Sequence, residues 1–199
     1  MNKGYWLRVF KTIGFALILG ASLTACGADS EKWKEEVQLS DGKVIVVERE
    51  LLMEGGGAEW ASNRSLSKPK EYRLQFADSN DSEKLIVWHS TKKSPQTWPE
   101  VPLVLDRVNG EWLVFSSVAK AGGCLMYNKY KYQNGSWAEE KLPPTFEQRV
   151  TNLYTFGHKD FKKFIDVKTK EEIISEHGGV YPYARYDQVG PTHPNCKGL

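Results

Sequence analysis

Four short polar breaks divide the middle of this sequence into runs too brief and too β-branched to be helices. They are Ser40-Asp41-Gly42, the stretch from Asp78 to Ser82, Asn109-Gly110 and Asn134-Gly135. Asn-Gly suits a two-residue hairpin, because both turn positions need a positive φ and these two residues reach it most cheaply. The flanking runs read as strands: Val37 to Leu39 with Lys43 to Arg49, Tyr72 to Ala77 with Leu85 to His89, Leu103 to Val108 with Trp112 to Val118, and Cys124 to Tyr132 with Trp137 to Leu142. Val44-Ile45-Val46-Val47 is β-branched throughout, which stiffens χ1 against a helix and packs well on a pleat. The expected fold is mainly β: antiparallel hairpins forming a curved sheet or sandwich, with a C-terminal helix. An α+β arrangement is the alternative. At 199 residues the chain holds one ordinary domain.

Other segments are less regular. Residues 54–70, with Gly55-Gly56-Gly57 and Pro69, read as a long loop. A further strand is expected from Val150 to Phe156. Phe161, Phe164 and Ile165 have helical spacing, so a turn or helix is expected over Asp160 to Val167. A second helix follows, with Thr169 as cap, Glu171 and Glu172 in the first turn, and Gly178 after His177 at its end. Two units repeat weakly, Asn109-Gly110-Glu111-Trp112 and Asn134-Gly135-Ser136-Trp137. Their tryptophans read as cross-strand packing residues; an aromatic ligand platform is the other reading.

The amino terminus is an address. Lys3, Arg8 and Lys11 precede an apolar run from Ile13 to Leu23, with no acidic residue before Asp29. That run is about 11 residues, and a spanning helix needs about 20, so it reads as a secretory signal. It ends in Leu23-Thr24-Ala25-Cys26-Gly27. This segment resembles the lipobox of bacterial lipoproteins. The resemblance implies diacylglyceryl transfer to the Cys26 thiol, cleavage before it, and acylation, with palmitate among the chains. Residues 1–25 are then a signal peptide, residues 26–32 a short tether and residues 33–199 a single β-rich periplasmic domain. The partner implied first is the membrane, through the lipid. Gly27, where an Asp would favour inner-membrane retention, points to the outer membrane and its periplasmic face; the inner membrane and the cell surface are the lesser destinations. Cleavage removes three cations, leaving 24 Lys and Arg against 25 acids. The small net charge carries no nucleic-acid footprint.

Chemistry-bearing motifs are sparse. Cys124 and Cys196 remain after Cys26 is lipidated, and an even pair in an oxidising compartment suggests a disulfide, stabilising by about 4 kcal/mol through the long loop it closes. Two free thiols, or one reactive thiol, is the alternative. His89 reads as a strand-end residue, His158 as a turn residue and His177 as a helix-end cation; His193 and Cys196 lack a second ligand pair, so no metal site and no cofactor is expected. There is no Gly-x-Ser-x-Gly and no phosphate loop. Asp106-Arg107 and Glu139-Glu140 read as solvated charge.

The aromatic surplus, seven Trp and nine Tyr, is more telling. As a strand, Tyr127 to Tyr132 puts Asn128, Tyr130 and Tyr132 on one face and Tyr127, Lys129 and Lys131 on the other. Tyr181 to Tyr186 repeats the mixture of aromatic and cation. Tyr127, Tyr130, Tyr132, Tyr183 and Arg185 are the expected binding surface, since Tyr and Arg are enriched at interfaces. Trp33-Lys34-Glu35-Glu36-Val37 and Asp41 to Arg49, with Cys124 to Tyr130, resemble an uncharacterised family of proteobacterial lipoproteins. The expectation is a non-catalytic lipoprotein that binds an envelope protein or saccharide. An immunity or exclusion lipoprotein, and a periplasmic hydrolase or thiol enzyme, are the rivals.

Overall fold

A computed structural model describes residues 30–55, 67–78, 81–94, 98–119, 125–142, 151–154 and 163–176. The fold is mainly β, as expected, and the two sheets pack as a sandwich. The first sheet contains β1 (Ser30–Gln38), β2 (Val44–Gly55), β3 (Ser67–Asp78), β4 (Asp81–His89) and β9 (Phe164–Ile165), in the order β4-β3-β2-β1-β9. The second contains β5 (Val101–Val108), β6 (Glu111–Ala119), β7 (Leu125–Gln133) and β8 (Ser136–Glu140), in that order. Neighbours are antiparallel except β9, which runs parallel to β1.

The turns form as their residues dictate. Asn109 and Gly110 have φ of 53° and 84°, and Asn134 and Gly135 have 51° and 83°. Both φ values are positive in each pair, the geometry whose twist matches that of the flanking strands. At Ser40-Asp41-Gly42 the Leu39 carbonyl accepts from the Gly42 N–H, Gly42 has φ 84°, and the Leu39 N–H donates to Lys43 O. This is a three-residue hairpin closed by a glycine bulge.

Alternation builds the core. Val37, Val47, Leu74, Phe76, Ile86 and Trp88 face Leu105, Trp112, Val114 and Tyr130 of the other sheet in one cluster. Phe76 and Trp112 rings lie 4.7 Å apart, and Trp88 and Tyr130 meet edge to face at 5.7 Å, the tilted contacts that the ring quadrupole favours. Both open flanks are tied across. On one, Trp137 Nε1 donates to the Val87 carbonyl at 2.8 Å. On the other, Asn152 Nδ2 donates to Gln38 O and Leu105 O, while its Oδ1 accepts from the Leu105 N–H.

Several expectations need correction. β1 begins at Ser30, inside the stretch read as tether. Of residues 54–70, read as a loop, 54–55 belong to β2 and 67–70 to β3. Pro69 is tolerated there beside a bulge at Leu52/Met53, where the ladder shifts. Residues 151–154 form no strand; they cross the sandwich as an irregular tie. Phe164 and Ile165 form β9 instead of a helix, since Lys34 N–H bonds to Lys163 O and Ile165 is buried with Trp33, Leu51 and Tyr154. Helix α1 (Val167–Glu176) starts three residues after β9's Phe164 and is capped by Asp166, whose Oδ1 accepts from Thr169 N–H at 2.6 Å. Thr169 is therefore its third residue and not its cap. His177 and Gly178 lie outside the described residues.

Candidate functional site

Two polar centres lie inside the sandwich. In the first, Glu100 is fully buried at the start of β5. Its carboxylate accepts from the Thr91 and Lys92 N–H groups at 2.8 and 3.1 Å, from Ser116 Oγ at 2.6 Å, from Asn128 Nδ2 at 3.2 Å and from Tyr130 OH at 2.9 Å. Burial pushes the Tyr130 phenol well above its ordinary value; the Thr91 hydrogen bond opposes this, and the nearby Glu100 charge adds to it. Lys92 Nζ caps the group from outside, on Asn128 Oδ1 at 2.8 Å and Glu139 at 2.5 Å.

In the second, Glu35 of β1 and Arg49 of β2 both point inward at positions where alternation calls for apolar residues. Arg49 Nη1 donates to Glu35 Oε1, and its guanidinium sits 4.9 Å from the Trp33 ring centre. Glu35 Oε2 accepts from the Tyr154 N–H at 2.8 Å and from Lys170 Nζ at 2.5 Å. Lys170 reaches in from α1 and also donates to Glu36 O and Asn152 O at 2.6 and 2.8 Å. Desolvation lowers the Lys170 ammonium from its ordinary value, with Glu35 opposing. The ammonium thus has three acceptors within hydrogen-bond reach. Arg49 Nε and Nη2 find no acceptor among the described residues.

The carboxylates of both centres, Glu35 and Glu100, are buried and each already accepts from several donors. Glu100 holds the β4–β5 connection to the second sheet, and Lys170 latches α1 to the first. Among the described residues no group of three or more His, Cys, Asp or Glu could hold a metal. Among the described residues no helix is long and apolar enough to cross a membrane.

What faces outward is the far side of the five-stranded sheet. Seven large apolar side chains are exposed among the described residues, and five of them lie there: Val44, Val46, Leu85, Val87 and Phe164. The pairing register sets Phe164, Lys34, Glu48, Gln75 and Val87 in one continuous row across all five strands. A second row runs Lys32, Glu50, Arg73 and His89. Together they line a groove of about 810 Å³. Lys34–Glu48 at 2.7 Å and Lys32–Glu50 at 3.0 Å pair across the strands. The hydrogen-bonded Glu71 raises the Arg73 guanidinium above its ordinary value. Such exposed pairs hold the surface side chains in place more than they stabilise the fold. The face offers a strip of alternating charge bordered by apolar side chains, suited to a surface with donors, acceptors and apolar groups of its own.

Among the described residues, Tyr127, Tyr130 and Tyr132 of the expected tyrosine surface do not share one exposed face. Tyr130 is buried in the inter-sheet core, and Tyr132 packs against that core and the Trp137 ring at 5.2 Å. Tyr127 is on the opposite face, as its parity required, against Leu103, Val104, Leu113 and Phe115. Tyr183 and Arg185 lie outside the described residues, as do Cys26, Cys124, Cys196, His158, His177 and His193. His89 does end β4, exposed on the groove row. Trp112 and Trp137 are packing residues, as read. Asp106, read as solvated, is buried and accepts from Ser40 N–H and Oγ at 3.0 and 2.9 Å. Sequence reading missed the groove face and the Glu35–Arg49 pair. The signal for the pair was two charges at inward parity, Glu35 between Trp33 and Val37 and Arg49 between Val47 and Leu51. Compared with protein-family models, with curated proteins and with solved structures, the chain finds no match.

Proposed function

We propose that this chain is a lipid-anchored protein of the bacterial envelope, held by acyl chains on Cys26 at the periplasmic face of the outer membrane, that binds an envelope protein through the outer face of its five-stranded sheet. The observation that carries the binding reading is the gathering of five exposed apolar side chains and two ordered charge rows on one sheet face. A protein partner fits better than a saccharide, since Phe164 is the one aromatic lining this groove that is exposed among the described residues. Against the hydrolase reading stand the two buried polar centres, whose acceptors are already taken.

A photo-crosslinking residue placed at Val87 or Phe164 in cells tests the reading. Both side chains are exposed, so the fold is kept. A discrete adduct from both positions, absent when the crosslinker replaces exposed Glu111 on the other sheet, is the expected result. No adduct from either position, or the same adducts from Glu111, overturns it.

A further inference from the structure

The sandwich has two unlike ends. β1 runs from Ser30 away from the amino terminus, and antiparallel pairing returns β2 to Gly55 beside it. Ser67 of β3 and His89 of β4 therefore lie at the same end as Ser30. The turn at Ser40–Gly42 and the β3–β4 turn lie at the other. The second sheet is aligned with the first, because Ser40 bonds to Asp106, Trp112 Nε1 to Asp78 and Lys84 covers the Tyr132 ring. The two Asn-Gly turns thus join the far end, and Val101, Ala119 and Leu125 join the near end. Three residues separate Cys26 from Ser30, four Cα steps with a reach of about 14 Å at full extension.

The two ends differ in surface chemistry. Of the seven exposed apolar side chains, the two that are not on the five-stranded sheet's outer face are Trp98, at 42%, and Leu125, at 36%. Both lie at the near end: Leu125 opens β7, and Trp98 precedes β5 in the segment that Glu100 ties down. Lys70 and Lys93, exposed at the same end, have no carboxylate partner among the described residues, whereas Asp81 and Glu83, exposed at the far end, have no cationic one. Other near-end cations, Lys32, Lys68, Arg73 and Lys92, are matched by Glu50, Glu54, Glu71 and Glu139, and Glu31 is an acid at the same end.

We infer that the near end is a membrane-contact surface, with Trp98 and Leu125 in the interfacial layer of a phospholipid bilayer and Lys70 and Lys93 on its anionic headgroups. This rests on the acylation of Cys26 proposed above. An indole is apolar in body with one N–H donor, and the headgroup layer satisfies both. Lysines near an anionic leaflet are attracted and acids are repelled, which orients the sandwich with its acidic end outward. The anchor holds this surface at high local concentration, so contacts too weak to recruit a free protein suffice. The strands then rise from the bilayer and the groove face stands side-on to it, open to a partner in the periplasm.

The test uses the full mature protein purified from cell envelopes, in vesicles of phosphatidylethanolamine and phosphatidylglycerol carrying brominated acyl chains, which quench nearby indoles. Wild type is expected to be quenched more strongly than Trp98→Phe. The K70E/K93E variant is expected to fall towards the Trp98→Phe level, and all these positions are exposed, so folding is preserved. Equal quenching of wild type and Trp98→Phe overturns the membrane-contact surface. Intact mass of the same samples separates the two claims: acylated Cys26 with equal quenching refutes the surface alone, whereas an unmodified Cys26 refutes the anchor and the surface with it.

Discussion

Replacing Glu100 by Gln tests whether the buried carboxylate organises the second sheet. The substitution keeps the shape and turns one acceptor oxygen into a donor. Around Oε1 are the Thr91 and Lys92 N–H groups, which cannot reverse. The amide oxygen must therefore stay there, and the new NH₂ faces Ser116 Oγ and Asn128 Nδ2. The Ser116 hydroxyl can rotate to accept. Asn128 cannot flip without turning its NH₂ on Lys92 Nζ, which its Oδ1 now holds. Two hydrogen bonds to a charged acceptor are lost or weakened, at about 1.5–3 kcal/mol each, so a net cost of about 3 kcal/mol is expected. With a urea slope of about 2 kcal/mol/M the midpoint falls by about 1.5 M. In a double-mutant cycle, Ser116→Ala is expected to couple to Glu100→Gln by at least about 1 kcal/mol, because the two touch. A Glu100→Gln midpoint within about 0.3 M of wild type, or additive effects in the cycle, would refute the reasoning.

Two further perturbations follow from the same geometry. Lys170→Met keeps the aliphatic stem but leaves Glu36 O, Asn152 O and one oxygen of Glu35 short of a donor; a loss of about 3–5 kcal/mol is expected, with hydrogen exchange showing α1 opening first, and unchanged α1 protection would contradict the latch. Tyr130 gives a pH signature: its folded phenol titrates above its unfolded value of 10.0, so above pH 10 the folded state holds more protons and stability falls by up to about 1.4 kcal/mol per pH unit. Lys170 acts with the opposite sign below 10.5, since its ammonium is lowered, so the measurement is the difference in pH slope between wild type and Tyr130→Phe over pH 9–11; equal slopes would contradict the burial.

The hairpins were legible because their signals are local. Asn109-Gly110 and Asn134-Gly135 need nothing beyond two residues to choose their φ, and the period of two from Tyr127 to Tyr132 fixed which side chains face inward. The helical spacing of Phe161, Phe164 and Ile165 misled at the last two, which form a two-residue strand because Trp33, Leu51 and Tyr154 supply a pocket for Ile165. The helix cap shifted from Thr169 to Asp166 for a related reason: both residues can cap, and β9 ending at Ile165 decided between them. The proposed binding face was hidden by composition. Tyrosine content drew attention to Tyr127, Tyr130 and Tyr132, yet the inter-sheet core took Tyr130, while the exposed face is assembled from strands far apart in the chain, as the row from Phe164 to Val87 shows.

The account's central claim is that a lipid on Cys26 places this sandwich in the envelope. Substituting Cys26→Ser in the full chain and following it in cells tests that claim. The account predicts a precursor that keeps its signal segment, takes up no labelled palmitate, and gives no crosslinked adduct from Phe164. A Cys26→Ser chain that reaches the mature mass and still partitions with the outer membrane would contradict it.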